Sequence, residues 1–281
     1  MIKTWLDRAS QYKALVVGDG IIDEYCYVRP QGKSPKENLI THRYLSGESF
    51  RGGVWAAAKH LEGFCGSVEV YTGTKATRKL RYVEAEYKSK ISEIHFAAEE
   101  PSADRPQFGA YDMVVVTDFG HGFVDKPMID DLTAQASFLA VNAQTNSANY
   151  GFNLITKYQR ADFVVIDEME ARLAACDREG PIEGVIRKLG FPKMIVTLGM
   201  HGAVGYDTDG FHRSPAVSDK VVDTMGAGDA FFCVTAPLAK AGAPMPVLLK
   251  VGNAAGAIKV GIVGHRQPVT RDRLEAALGG F

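Results

Sequence analysis

Cysteine is scarce: the 281 residues hold four, Cys26, Cys65, Cys176 and Cys233, set far apart and without the paired spacing of a zinc site or a redox motif. They read as reduced core thiols. An excess of charge is missing too, since 32 Lys and Arg face 33 Asp and Glu for a net charge of −1. With no long basic run, neither a nucleic-acid partner nor an anionic membrane is expected. No uninterrupted apolar stretch approaches the ~20 residues needed to span a bilayer. The opening Met1-Ile2-Lys3-Thr4-Trp5 leads into polar residues rather than a signal peptide's apolar run, so the expected compartment is the cytoplasm. Repeats and low-complexity tracts are absent as well. What remains is an ordinary globular composition, 46% hydrophobic and 23% charged, with glycine (29 residues) as its one excess. The length suits one large α/β domain, residues 1–281, with a small appendage and a small-molecule partner.

Short apolar runs alternate with helical patterns, the signature of a parallel sheet covered by helices. Buried strands are predicted at Ala14 to Gly18, Val68 to Tyr71, Met113 to Thr117, Phe138 to Val141, Phe163 to Ile166 and Met194 to Leu198. Helices are predicted at Val54 to Leu61, Pro127 to Ala136, Glu168 to Ala175, Ala227 to Ala241 and Pro246 to Val260, with a kink at Pro237. Two stretches fit this scheme badly, residues 25–45 and 79–96. Their alternation of polar and apolar residues suggests half-exposed strands, and together they predict a small antiparallel flap beside the main sheet.

The chemistry is carried by Val221-Val222-Asp223-Thr224-Met225-Gly226-Ala227-Gly228-Asp229-Ala230-Phe231-Phe232, where an apolar segment turns through two glycines into a helix. A helix N-terminus has unpaired N–H groups, and glycine lets such backbone approach a ligand closely. Gly226, Ala227 and Gly228 therefore make a candidate cradle for negative charge. Phosphoryl transfer needs one, because charge spreads over the oxygens of the migrating group. Asp229, in the first turn, is placed to take a proton from a hydroxyl in line with that group. A bare turn with a capping aspartate is the alternative for so short a motif.

The longer string Asp223-Thr224-Met225-Gly226-Ala227-Gly228-Asp229 resembles the D-T-x-G-A-G-D signature of the ribokinase-like (phosphofructokinase B) carbohydrate kinases. The resemblance implies a three-layer α/β/α fold with a mostly parallel central sheet and a β lid. It also implies transfer of the γ-phosphoryl group of ATP, with Mg²⁺, to a sugar hydroxyl, and Asp229 as the catalytic base. Val196 to Ala203 looks like the family's T-x-G-x-x-G nucleotide loop, which implies that Thr197, Gly199 and Gly202 line the nucleotide site along with Thr224; a plain hairpin is the other reading. Asn253-Ala254-Ala255-Gly256-Ala257 is similar to the late helix beside the adenine, or is simply a closely packed helix. Asp167 and Glu170 stand where the family has N-x-x-E, so Glu170 is expected to organise Mg²⁺ through water. Asp167 replaces the asparagine and puts that arrangement in doubt; ordinary helix-start acids are the alternative.

Val17-Gly18-Asp19-Gly20-Ile21-Ile22-Asp23-Glu24-Tyr25 resembles the first strand and turn of the heptose-phosphate kinase branch. This implies that Asp23 holds sugar hydroxyls, a task suited to a carboxylate that accepts two hydrogen bonds from a diol. Ser34-Pro35, Arg51-Gly52-Gly53 and Thr77-Arg78-Lys79-Leu80-Arg81 follow that branch in order, so Gly52 and Gly53 are expected at the sugar. Lys79 and Arg81 are expected at a phosphate already on the substrate, or else are exposed strand cations. The amide-rich segment 142–149, with Asn142 and Gln144, is expected to read the acceptor. Its assumed purpose is to compensate for Ala56, which replaces a sugar-contacting asparagine. His121 replaces a lysine, and a helix-and-strand unit is missing between Tyr71 and Lys79. Flaps of this family pair between subunits, which implies a homodimer. A Rossmann dehydrogenase fails at the third glycine, which is Asp23. A nucleotidylyltransferase fails because Asp118 and Ile262 stand where its first histidine belongs. A non-catalytic sugar- or nucleotide-binding protein of the same fold remains as the rival, favoured by Ala56, Asp167 and His121.

Overall fold

The computed structural model describes residues 2–98, 105–217 and 221–279. An amphipathic helix α1 (Ile2–Ala9) buries Leu6 and Ala9 and leads into β1 (Lys13–Gly18). Then follow β2 (Gly20–Lys33), β3 (Ile40–Gly53), α2 (Val54–Leu61), β4 (Ser67–Tyr71), β5 (Thr77–Glu84) and β6 (Lys90–Phe96). The middle of the chain supplies β7 (Met113–Asp118), α3 (Lys126–Gln135), β8 (Leu139–Ala143), β9 (Phe163–Asp167), α4 (Glu168–Ala175) and α5 (Ile182–Leu189). The last third supplies β10 (Met194–Thr197), β11 (Ala203–Asp207), β12 (Gly210–Ser214), α6 (Ala227–Lys240), α7 (Met245–Val260) and α8 (Arg271–Gly279).

The main sheet has eight strands in the order β12-β11-β10-β9-β8-β7-β1-β4. All neighbours from β10 to β4 pair parallel, while β11 and β12 add antiparallel hairpins at one edge. Successive side chains of a strand point to opposite faces, so the continuous apolar runs feed two cores. Ala14, Val16, Met113, Val115 and Ile195 pack toward α1, α2, α6, α7 and α8. Leu15, Val17, Val114, Val116, Met194 and Val196 pack toward α3, α4 and α5. Two helical layers around a sheet give the expected three-layer α/β/α architecture. Pro237 removes one helical hydrogen bond yet does not end α6, which runs on to Lys240.

The flap is a separate four-stranded sheet in the order β3-β2-β5-β6. It differs from the expected antiparallel flap in one pairing: β2 and β5 run parallel, from Ile21 opposite Thr77 to Val28 opposite Glu84. The cause is topological. Asp19 alone separates β1 from β2, and the chain re-enters the flap through β5 only after α2 and β4 have carried it along the main sheet in the same sense. Both hairpin strands also outrun the expected boundaries, because their inner ends, Ile21 and Gly52-Gly53, are buried where flap and main sheet meet. Between β4 and β5 only a short connection runs, and β4 remains the edge of the main sheet.

Candidate active site

Parallel strands deliver their C-terminal ends to one side, and there the predicted residues gather around the N-terminus of α6. Gly226 caps that helix in the left-handed region at φ 72°. A Cβ there would lie 3.1 Å from His265 Cε1 and 3.3 Å from Lys259 Cε, so only glycine fits both the backbone and the space. Ala230 closes the first turn by donating to the Gly226 carbonyl. The N–H groups of Gly228 and Asp229 meet no carbonyl among the described residues, and they form an open cradle.

Asp229 is buried, 8% exposed, yet it is not packed into a core: it lines a polar cavity of about 200 Å³ with Asn142, Gln144, Thr145, Asp167, Glu170, Thr197, Gly226 and Gly228. Gln144 Nε2 donates to its Oδ1 and also, at 2.8 Å, to Asn142 Oδ1. Burial raises the Asp229 carboxyl above the usual carboxylate range, and His265, the Gln144 hydrogen bond and Lys259 oppose that rise.

Asp167 and Glu170 form a reciprocal cap on α4: Glu170 N–H donates to Asp167 Oδ1 at 2.7 Å and Asp167 N–H to Glu170 Oε2 at 2.9 Å. Thr145 N–H donates to the other Glu170 oxygen at 2.8 Å. Among the described residues no cation pairs with Glu170, Asp167 or Asp229, and burial followed by the Asp167 charge pushes Glu170 up to about 8. The sign follows directly. A carboxyl that keeps its proton in the fold stabilises it fully below its ordinary value of 4.5, and this contribution disappears as pH rises through about 8. In metal-free buffer the melting temperature should therefore fall over that interval, and Glu170→Gln should flatten that part of the slope; an unchanged slope would show Glu170 ionised throughout.

The nucleotide-side residues line a neighbouring cavity of about 350 Å³, where Thr197, Gly199, Gly202, Thr224, Ala227, Gly228 and Asn253 meet the apolar Val221, Phe231 and Val260. It shares Thr197, Gly199 and Gly228 with a larger, open cleft toward Arg172 and Cys176. The hairpin reading of this loop also holds, since β10 and β11 pair and Gly199 and Gly202 form their turn. Asn253 spends its amide nitrogen on the Ser214 and Pro215 carbonyls, so it ties the wall of the cavity together.

On the flap side, Asp23 is 3% exposed. Its Oδ1 accepts from Arg81 Nη1, and its Oδ2 lies 3.5 Å from His265 Nε2. Gly52 and Gly53 end β3 beside it; a Cβ on Gly52 would come within 2.2 Å of Asp23 Oδ2. Lys79 and Arg81 are buried, which removes the reading of exposed strand cations. Arg81 is also committed to Glu93, so its fork is already filled by two carboxylates. The amide-rich loop is mostly a brace: Asn146 and Asn149 both donate to the Phe119 carbonyl, and only Asn142, Gln144 and Thr145 reach the polar cavity. Their shared partner lies far along the chain, so the density of amides marked hydrogen bonding without saying which of them would face the cavity. His121, where a lysine was expected, is pushed down to about 4 by burial first and by Lys79 next.

Two positions in contact with the site carried no motif. Lys259 is fully buried and donates to the carbonyls of Met225 and Gly264, at 2.7 Å each, which pins the loop under the cradle. Its only trace is a lysine in the apolar face of α7. His265 stands between Asp23 and Gly226, and no local pattern announces it.

Comparison with known proteins agrees with this geometry. The bifunctional protein HldE of Shewanella sp. (strain MR-4) is 24% identical over 320 aligned positions, covering 99% of this chain and 66% of that protein. HldE of Bradyrhizobium diazoefficiens is 28% identical over 242 positions, covering 78% of this chain and 48% of that protein. The chain thus spans less than two thirds of the length of these curated relatives. Among solved structures, the ribokinase of Thermotoga maritima matches with a TM-score of 0.76 at 19% identity, covering 95% of this chain and 99% of that one. The Arabidopsis thaliana ribokinase complexed with ribose and ATP matches at 0.71 and 16%, with 95% and 99% covered. The model for pfkB family carbohydrate kinase matches residues 67–271, which contain Asp229 and its cradle, and the chain belongs to that family of carbohydrate kinases.

Proposed function

We propose that this carbohydrate kinase transfers the γ-phosphoryl group of ATP to a hydroxyl of a sugar or sugar phosphate, with a heptose phosphate as the leading acceptor. The observation that carries the reading is the Asp229 carboxylate in a polar cavity beside two open backbone N–H groups. Thr197, Gly199, Gly202 and Thr224 hold the nucleotide, while Asp23, Gly52, Gly53 and Gln144 position the acceptor. Asp229 takes the hydroxyl proton, and the N–H groups of Gly228 and Asp229 face the migrating group; Gly226 and Ala227 shape the turn that holds them, the Ala227 N–H being already given to the Thr224 carbonyl. A buried carboxylate pair without a cationic partner suits Mg²⁺ held through water by Glu170 and Asp167; when bound, the ion would neutralise phosphate charge. The flap excludes water, a competing acceptor.

Transfer by the wild type against Asp229→Asn is the test. A second reading, a non-catalytic sugar- or nucleotide-binding protein, is favoured by Asp23, whose oxygens already face Arg81 and the imidazole of His265; equal rates for the two proteins would select it. Gly52→Ala should push Asp23 aside and cost about 10²-fold in kcat/KM for the acceptor, with nucleotide KM unchanged. An unchanged kcat/KM for the acceptor would remove Asp23 from the acceptor site. The flap also exposes Ile40, Tyr44, Ile94 and Phe96, which suits pairing of flaps in a homodimer, to be read from sedimentation equilibrium.

A further inference from the structure

Beside the acceptor carboxylate lies another cavity, of about 330 Å³, lined by Arg51 at the end of β3, Ala56, Lys59 and His60 on one face of α2, and His265 and Arg266 of the loop after α7. No carboxylate is among its lining residues. Lys59 pairs with Glu62 at exposed positions, where such a pair is weak, while Arg266 reaches both oxygens of the half-buried Glu48 at 2.9 Å and is held more firmly. Arg51 stacks on the Trp55 ring at 5.3 Å and has no acidic partner among the described residues. Ala56 presents only a methyl group to the space. His265 connects the cavity to the acceptor: its Nε2 faces Asp23 Oδ2, and its buried Nδ1 has no hydrogen-bond partner.

A cavity with three cationic side chains, one of them unpaired, and no acid in its wall favours a compact anion, and guanidinium and ammonium groups match phosphate oxygens. Of the other basic pair near the acceptor, Arg81 would have to break its ion pairs with Asp23 and Glu93 to serve, and Lys79, which forms no ion pair within 4 Å among the described residues, is buried under the influence of the same two carboxylates. We propose that this cavity is the subsite for a phosphate monoester carried by the acceptor, gripped by Arg51 and Lys59, with Arg266 and His265 closing it toward Asp23. The proposal rests on the kinase reading above and specifies where its acceptor keeps its phosphate.

Titration of inorganic phosphate into the nucleotide-free protein by calorimetry tests the site. The double variant Arg51→Gln, Lys59→Gln should bind about tenfold to a hundredfold more weakly, the scale of losing charged hydrogen bonds. Lys3→Gln, an exposed charge outside the cavity, should bind as wild type. Because Arg51 and Lys59 are exposed, folding is not at stake, and His265→Gln gives an independent reading from the inner wall. Sedoheptulose 7-phosphate should compete with inorganic phosphate, whereas sedoheptulose should not. Absence of phosphate binding by the wild type, or equal affinity in the double variant, overturns the site. Simultaneous binding of phosphate and the sugar phosphate overturns its assignment to the acceptor and leaves a free anion as the ligand. Should Asp229→Asn retain transfer, the kinase reading falls while the phosphate measurement still stands or falls separately.

Discussion

Asp229→Asn should lower kcat by at least ~10²-fold, the usual cost of losing a general base, with nucleotide affinity nearly unchanged. The separation follows from position. Asp229 lines the polar cavity with Gln144 and Glu170 and is absent from the lining of the cavity proposed for the nucleotide, which it borders through Gly228. Asparagine keeps an oxygen to accept from Gln144 Nε2, so the local structure survives the exchange. Burial raises the Asp229 carboxyl, and a base must be ionised to act, so the acid limb of the wild-type pH profile should lie above the ordinary carboxylate range. The variant should lose that limb. Single-turnover transfer and nucleotide titration on both proteins decide the matter; a retained kcat would move the base elsewhere.

Lys259→Met should be the most damaging single change for stability. The ammonium group donates to two carbonyls, Met225 and Gly264, from a position with no solvent exposure. Methionine matches the length but cannot donate, and each stranded carbonyl costs about 1–3 kcal/mol, so the loss should be roughly 2–5 kcal/mol. A urea midpoint shifted by that amount at constant slope is the expected result. Activity should fall as well, because Met225 directly precedes Gly226 of the cradle, and Val221, Thr224 and Val260 line the neighbouring cavity proposed for the nucleotide. A shift below about 0.5 kcal/mol would mean that water replaces the ammonium group.

The six parallel strands of the main sheet were legible, five of them because residues such as Val114, Val115 and Val116 are buried on both faces and leave continuous apolar runs; β4, expected to be buried, is a half-exposed edge strand, and the antiparallel β11 and β12 were not predicted as strands. The helices α1, α5 and α8 escaped notice: each is short and buries only a few residues, so its periodicity spans barely two turns. Asp229 and its glycines were legible because a tight turn, close backbone approach and a first-turn acid all lie in consecutive residues. The pairing of Arg81 with Asp23 was not, since the two sit on different strands of a sheet whose register no local signal sets. The loop 142–149 shows the same limit from the other side: its composition announced hydrogen bonding, but not whether the partner would be a ligand or the Phe119 carbonyl.

Layer architecture, the strands that form the parallel sheet, and the position of the helix whose start bears Asp229 follow from local patterns in the chain, because burial on two faces and glycine at a positive φ leave marks on neighbouring residues. Long-range folding settled which buried groups meet: Lys259 under the cradle, His265 between Asp23 and Gly226, and Arg51 with Lys59 around one cavity. Those contacts depend on charge and hydrogen bonding across distant segments, and such interactions have no period along the chain and become defined only when the flap, α2 and the loop after α7 close on one another.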